Sequence, residues 1–210
     1  MATPWTVVLH SGGLRSLVTT ALLAAEHPRP RLALLHLTCP HAAAAHRAEH
    51  LRKQAEHFQI RKVVELALPV PPDSTGDATP AAGQSLKLVA ALTQATAMGS
   101  DRVVWPAQFD ADVRAAAHAT ELALVATQLI ETELAPQHLP APRLDTPLAE
   151  LTDVQVVELG VQLDVPWALA WSCLTPTSTG EACQSCEACR RRAKAFAAAG
   201  VAEPSSKVHA

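Results

Sequence analysis

Four of the five cysteines in this 210-residue chain stand close together near its C-terminal end, at Cys173, Cys183, Cys186 and Cys189. The spacing C-x9-C-x2-C-x2-C supplies four thiolates, the number that closes a tetrahedral structural zinc site. The two short steps are tight turns whose backbone amides can also donate to sulfur. An iron–sulfur cluster is the rival, because C-x2-C-x2-C also occurs in ferredoxin-type runs. Those runs continue to a nearby fourth cysteine followed by proline, whereas Arg190, Arg191 and Arg192 follow here. The pattern therefore favours zinc.

A second set of residues with chemical potential lies at the opposite end of the chain. His10, Ser11, Gly12, Gly13, Leu14, Arg15 and Ser16 sit where an apolar run gives way to a helix-forming one. At such a junction, backbone N–H groups and the positive end of the helix point at the carboxyl edge of a sheet. Two glycines let the backbone approach an anion, and the Ser11 and Ser16 hydroxyls can add donors. A tight turn without a ligand would use the same glycines, so the motif alone leaves both readings open. His10 would lie beside a bound phosphate, where an imidazole can move a proton near neutral pH. A buried, hydrogen-bonded histidine at a strand end is the simpler reading. Cys39 offers a thiol at the same sheet edge, and as a small apolar filler it needs no function. His46, His50 and His57 fall roughly on one helical face, where a solvated face among Arg, Lys and Glu is the plainer account. Asp110 and Asp112 are candidate metal ligands, and helix capping explains them more simply.

The remaining elements must hold these groups in place. Apolar strands are expected at 6–9, 31–39, 61–68 and 101–107, and helices at 17–26, 42–58, 86–99, 111–131 and 152–164, the last with Thr152 as N-cap. Residues 69–85, rich in Pro, Gly, Ser and Thr, read as a long loop. Strands alternating with helices at this spacing imply an α/β fold, a doubly wound and mostly parallel sheet. Residues 1–165 form the α/β domain on this reading, and 166–210 a zinc-binding segment packed on it.

Hydrophobic residues make up 49% of the chain and aromatics only 3%, so the core is expected from Ala, Leu and Val on closely packed elements. No apolar run reaches the roughly 18 residues of a membrane span, and no secretory leader is evident. The cytoplasm is the expected compartment, where clustered cysteines hold metal more often than they form structural disulfides. A net charge of -3 gives no reason to expect a nucleic-acid surface, and Arg190–Arg192 with Lys194 is the only basic cluster.

The Ser-Gly-Gly-x-x-Ser loop after an N-terminal strand resembles the pyrophosphate loop of the N-type ATP pyrophosphatases. The C-terminal third resembles the 7-cyano-7-deazaguanine synthases of queuosine biosynthesis. The residues that carry this are Thr146-Pro147-Leu148, Leu159-Gly160, Trp171-Ser172-Cys173, Cys183 to Cys189, Arg192-Ala193-Lys194-Ala195-Phe196 and Ala199-Gly200-Val201. The resemblance implies an ATP-pyrophosphatase core (adenine nucleotide alpha hydrolase-like) and a structural zinc held by the four cysteines. It implies an ATP-dependent carbon–nitrogen ligase that converts 7-carboxy-7-deazaguanine and ammonia to the nitrile, releasing AMP and pyrophosphate. ATP is then a substrate, a deazapurine its partner, Mg²⁺ a possible companion, and the assembly a homodimer without membrane or direct nucleic-acid contact.

This sequence departs from the family at four places. Arg15 stands where the family carries Asp, and a guanidinium binds phosphate but not Mg²⁺. The Asp-Tyr-Gly-Gln-x-His stretch after strand two is Cys39-Pro40-His41-Ala42-Ala43-Ala44. The Pro-Gly-Arg-Asn turn is Ala82-Gly83-Gln84-Ser85, and the Gly-x-Asn after strand four is Pro106-Ala107-Gln108. A catalytically impaired or repurposed zinc-containing nucleotide-binding scaffold is therefore the alternative.

Overall fold

A computed structural model describes residues 4–68 and 83–204. Its centre is a five-stranded parallel sheet in the order β3-β2-β1-β4-β5. The strands are β1 (Trp5–Leu9), β2 (Arg31–Thr38), β3 (Lys62–Ala67), β4 (Arg102–Val104) and β5 (Arg143–Asp145). The helices are α1 (Leu14–Ala24), α2 (Ala44–His57), α3 (Gly83–Ala97), α4 (Val113–Leu134), α5 (Asp153–Gln162) and α6 (Glu187–Ala198).

Both faces of the sheet are covered, which is why the central strands read as continuous apolar runs rather than alternating ones. Val7, Leu9, Ala33 and Leu35 pack against Leu88 and Leu92 of α3 and Ile130 of α4. Val8, Leu32 and Leu34 point the other way, onto Leu23 of α1 and Leu51 and Ala55 of α2. A third layer joins Leu17, Val18 and Ala21 of α1 to Val156 of α5. Val157 on the same helix meets Phe196 of α6, so the C-terminal segment packs directly on the core. Gly160 is required there, because a Cβ at that position would lie 2.0 Å from the Trp167 ring.

The doubly wound parallel architecture expected from the sequence is present, with several boundaries moved. Proline 106 stops β4 at Val104, short of the expected 107, since proline donates nothing to a ladder. The helix expected over 111–131 runs Val113–Leu134, capped by Asp112, whose carboxylate accepts from the amides of Arg114 and Ala115. Thr152 caps α5 as expected, in a reciprocal capping box with Gln155. The helix expected from residue 86 begins at Gly83, and residues 69–82 of the expected loop lie outside the described residues. Two elements are absent from the sequence reading. Strand β5 has only three residues, two of them charged, and Asp145 on it accepts from Arg102 at 2.7 Å. Helix α6 begins inside the cysteine motif and runs on beyond it, with Cys189, Ala195 and Phe196 as its buried stripe.

Candidate functional site

Strand order reverses between β1 and β4, the place where open parallel sheets form a crevice beyond their carboxyl ends. Residues 10–16 pass through that place. Gly12 adopts φ +73°, and its Cα turns towards α2, where an added Cβ would lie 2.1 Å from the Arg47 carbonyl oxygen. The glycine is thus demanded by helix α2, whereas the sequence reading assigned its bare face to an anion. Its carbonyl accepts from the Trp171 amide at 3.0 Å and from the Gln54 amide nitrogen at 3.0 Å. Gln54, wholly buried, also donates to the Leu169 carbonyl at 2.7 Å.

Within the loop, the amide of Ser11 donates to the Ser16 hydroxyl at 3.0 Å, and that of Gly13 to the Ser11 hydroxyl at 3.3 Å. The Gly12 amide donates to Nδ1 of His10 at 3.1 Å, which leaves Nδ1 as the unprotonated nitrogen of the ring. His10 is therefore a buried strand-end histidine. Gln54 weakly favours its charged form, yet neither Nε2 of His10 nor Oε1 of Gln54 has a hydrogen bond of acceptable geometry. Burial, reinforced by the His36 ring, pushes His10 down to about 3. His36 bonds through Nδ1 to the His10 carbonyl at 2.7 Å and is also lowered, chiefly by burial.

Two cavities flank the loop. The first, of about 350 Å³, opens over β1, β2 and β4, with Arg15, Arg47 and Lys87 among the residues lining it. His41 also lines it, and burial together with the charges of Arg47 and Lys87 lowers that ring to about 4. The second, of about 280 Å³, lies between the loop and α6 and shares Ser11, Arg15 and Arg47 with the first. Arg15 reaches Asp153 at 3.8 Å. Asp153 also pairs with Arg191, whose guanidinium donates to Gln108 at 3.0 Å. Arg192 pairs with Glu203 at 3.0 Å and donates to the Ala170 carbonyl at 2.9 Å. Both arginines thus clamp α6 to the core.

The four cysteine sulfurs converge, all lying within 4.8 Å of one another. A tetrahedral zinc–thiolate site with bonds of about 2.3 Å separates its sulfurs by about 3.8 Å, and Cys173 and Cys183 stand 3.5 Å apart. The Cys183 amide donates to Cys173 Sγ, and the Cys186 amide to Cys183 Sγ, each at 3.3 Å. The Thr175 hydroxyl, followed by the Ser185 and Cys186 amides, pulls the Cys183 thiol down to about 5. Burial and the neighbouring thiols Cys186 and Cys173 push Cys189 up instead. Cys186 is likewise lowered and Cys173 is raised by burial, so two thiols lean towards the thiolate and two gain it beside a cation, which suits a divalent soft-ligand metal.

The other candidates resolve into structure. His46 stacks on Trp171 with centroids 4.3 Å apart, and His50 is buried and bonded to the Leu169 carbonyl at 3.0 Å. The solvated face expected for these two histidines is corrected: Trp171, 121 residues beyond His50, covers them. Of the three on this helix, only His57 is exposed. Cys39 is buried beside Leu68, the apolar filler expected. Asp110 accepts from the Asp153 amide at 2.9 Å, and buried Gln108 donates to the Leu151 carbonyl at 2.7 Å. Gln54, Arg47 and Lys87 carry no sequence signal, because polar residues in such helices usually face water.

The buried histidines set an expected pH response. His10, His36, His41 and His50 all have folded-state values below the ordinary 6.5. The unfolded chain therefore binds more protons than the folded one below that pH. Their contribution to stability is complete above pH 6.5 and is lost as pH falls towards 4 and then 3. The urea midpoint is expected to hold between pH 7.5 and pH 6.5 and to fall steadily from there to pH 5. A midpoint constant over that range would contradict the burial of neutral rings.

Comparison with known proteins gives a consistent picture. A family model described as queuosine biosynthesis protein QueC matches residues 95–200. A 7-cyano-7-deazaguanine synthase from Chlorobaculum parvum is 30% identical, over 94% of this chain and 94% of its own. One from Geobacter sulfurreducens is 30% identical over 94% of this chain and 91% of its own. Among solved structures, the U34-tRNA thiolase NcsA from Methanococcus maripaludis, determined with its 4Fe-4S cluster, superposes with a TM-score of 0.56 at 15% identity. That likeness covers 93% of this chain and 64% of the thiolase, and it shows the fold.

Proposed function

Because the chain belongs to the family of queuosine biosynthesis protein QueC, the 7-cyano-7-deazaguanine synthases, we propose that it makes the nitrile from 7-carboxy-7-deazaguanine, ammonia and ATP. The observation that carries this reading is the loop 10–16 at the strand-order reversal, opening onto a cavity flanked by Arg15, Arg47 and Lys87. In the reaction a carboxylate oxygen attacks the α-phosphorus, and the bond to pyrophosphate breaks. Ammonia then displaces AMP and loses a proton to give the amide. A second adenylation by ATP, on the amide oxygen with release of pyrophosphate, followed by loss of AMP and of both protons on the amide nitrogen, leaves the nitrile. The role proposed for Arg15 and Ser16, which line that cavity, is to meet the charge on departing pyrophosphate.

Zinc is the metal proposed for Cys173, Cys183, Cys186 and Cys189, because a closed four-thiolate shell is its structural site. With all four positions filled by sulfur, its role is to hold the C-terminal segment rather than to meet substrate. The compartment proposed is the cytoplasm; among the described residues no helix is long and apolar enough to cross a membrane. The proposed assembly is a homodimer, for which α4 offers the exposed apolar residues Val113, Leu124, Val125 and Leu129.

A second reading, a silent nucleotide-binding scaffold, is favoured by one observation: the amides of Ser11, Gly12 and Gly13 are bonded within the loop. Pyrophosphate release from ATP separates the two. The synthase reading expects release that requires 7-carboxy-7-deazaguanine and continues over many turnovers only when ammonium is also present. Protein that binds ATP yet releases nothing with both present would establish the scaffold instead. The same preparation, measured by light scattering, is expected at twice the 22.2 kDa chain mass.

A further inference from the structure

The second cavity, of about 280 Å³, has no part in the function proposed above, yet it shares a wall with the first. Ser11, Arg15 and Arg47 line both, so what binds in either cavity lies against the same loop. The first, at about 350 Å³, is near the lower end of ligand sites, which start at about 300 Å³, and holds one ligand rather than two. A transfer between two substrates then needs the second one on the other side of that wall. The lining there is of two kinds. Leu14, Val157, Trp171 and Leu174 supply apolar walls, and Asp153 and Glu187 bring carboxylates. Asp153 is already paired with Arg15 and Arg191. The carboxylate of Glu187, exposed on the first turn of α6, has no ion pair or hydrogen bond among the described residues.

We infer that the second cavity is the acceptor site: it takes the flat bicyclic base of a 7-deazaguanine, with Glu187 accepting the N1 and 2-amino hydrogens and the 7-carboxylate turned to Arg15 at the shared wall. The inference rests on the synthase reading above and names the residues that choose its substrate. The two polar ends of such a base lie on opposite edges of the ring system, and the loop and α6 lie on opposite sides of the cavity. One carboxylate meets two adjacent N–H donors with its two oxygens, a paired contact that fixes orientation as well as identity. The ring system is unchanged from acid to amide to nitrile, so a single pocket serves both adenylations.

Calorimetric titration of the full chain with 7-carboxy-7-deazaguanine, alone and under saturating α,β-methylene-ATP, tests this, because that nucleotide cannot release pyrophosphate. The acid is expected to bind in both conditions, without displacement by the nucleotide. The wild-type chain should prefer it about tenfold over 7-carboxy-7-deazahypoxanthine, which lacks the 2-amino donors, the weight of one charge-assisted hydrogen bond. Glu187→Gln should weaken binding of the acid about tenfold and erase that preference, leaving nucleotide affinity unchanged. A merely structural change in α6 would weaken both ligands alike and keep the preference. Melting curves without ligand establish that the variant is folded; if it is not, the two ligands on the wild-type chain decide. Displacement of the acid by the nucleotide, equal affinity of the wild type for the two ligands, or a preference that survives Glu187→Gln overturns the inference and leaves the synthase reading standing. Absence of acid binding in both conditions overturns the synthase reading itself, and the inference with it.

Discussion

Gly12→Ala is expected to remove about 3–5 kcal/mol of folding stability, a large part of the 5–15 kcal/mol typical of a domain. Three effects add. An L residue at φ +73° costs about 1–2 kcal/mol. The new Cβ would stand 2.1 Å from a backbone oxygen of α2, which no rotamer change relieves. Any shift that relieves it strains the bonds from Trp171 and Gln54 to the Gly12 carbonyl, worth about 1 kcal/mol each. Gly99→Ala is the control, since Gly99 has φ +64° but nothing within 4 Å of the added carbon. It isolates the conformational cost at about 1 kcal/mol. Denaturant midpoints for the two variants should therefore separate clearly. Equal losses would mean that the contact with α2 has no structural weight. Because the clash is with protein, a lost nucleotide response in a Gly12 variant reports a damaged loop rather than a blocked phosphate.

Stripping the metal from the four-cysteine site is expected to lower Tm by about 10–20 °C, the equivalent of roughly 5 kcal/mol in a chain of this size. Structural zinc sites contribute their binding energy directly to folding. The purified protein should carry about one zinc per chain and be colourless, since a filled d shell has no visible transitions. Absorption near ~400 nm with iron and sulfide would replace zinc by a cluster. Damage should not stay local. Cys173 is two residues from Trp171, whose indole donates to the Cys173 carbonyl and whose amide holds Gly12. Tryptophan emission and amide exchange in 10–16 should change as metal leaves, as should helicity from α6. Cys186→Ala should reproduce the effect without a chelator. Stoichiometric metal loss with an unchanged Tm would show that the four thiols do not stabilise the fold through a metal.

The sequence by itself determined the features whose cause is local. Residues 7–9 and 32–35 are apolar throughout because both faces of a parallel strand are covered, and alternation with helices follows from composition and period. Caps such as Thr152 with Gln155 act over three residues, so they too are legible. The cysteine spacing is equally local for Cys183, Cys186 and Cys189, where one turn and one helix start set the geometry. Tertiary structure decided the rest, because the deciding partner lies far along the chain. Arg191 and Arg192 look like a basic patch until Asp153 and Glu203 fold against them. Gly12 looks like a phosphate glycine until α2 presses its backbone there, 35 residues later. Gln54 sits among charged neighbours on a polar helix, and only carbonyls 42 and 115 residues away make it a buried strut. Strand β5, three residues with two charges, exists only because β4 offers it a ladder and Arg102 a countercharge. A side chain's role depends on which surface the fold sets opposite it, and that surface is not encoded in its own neighbourhood.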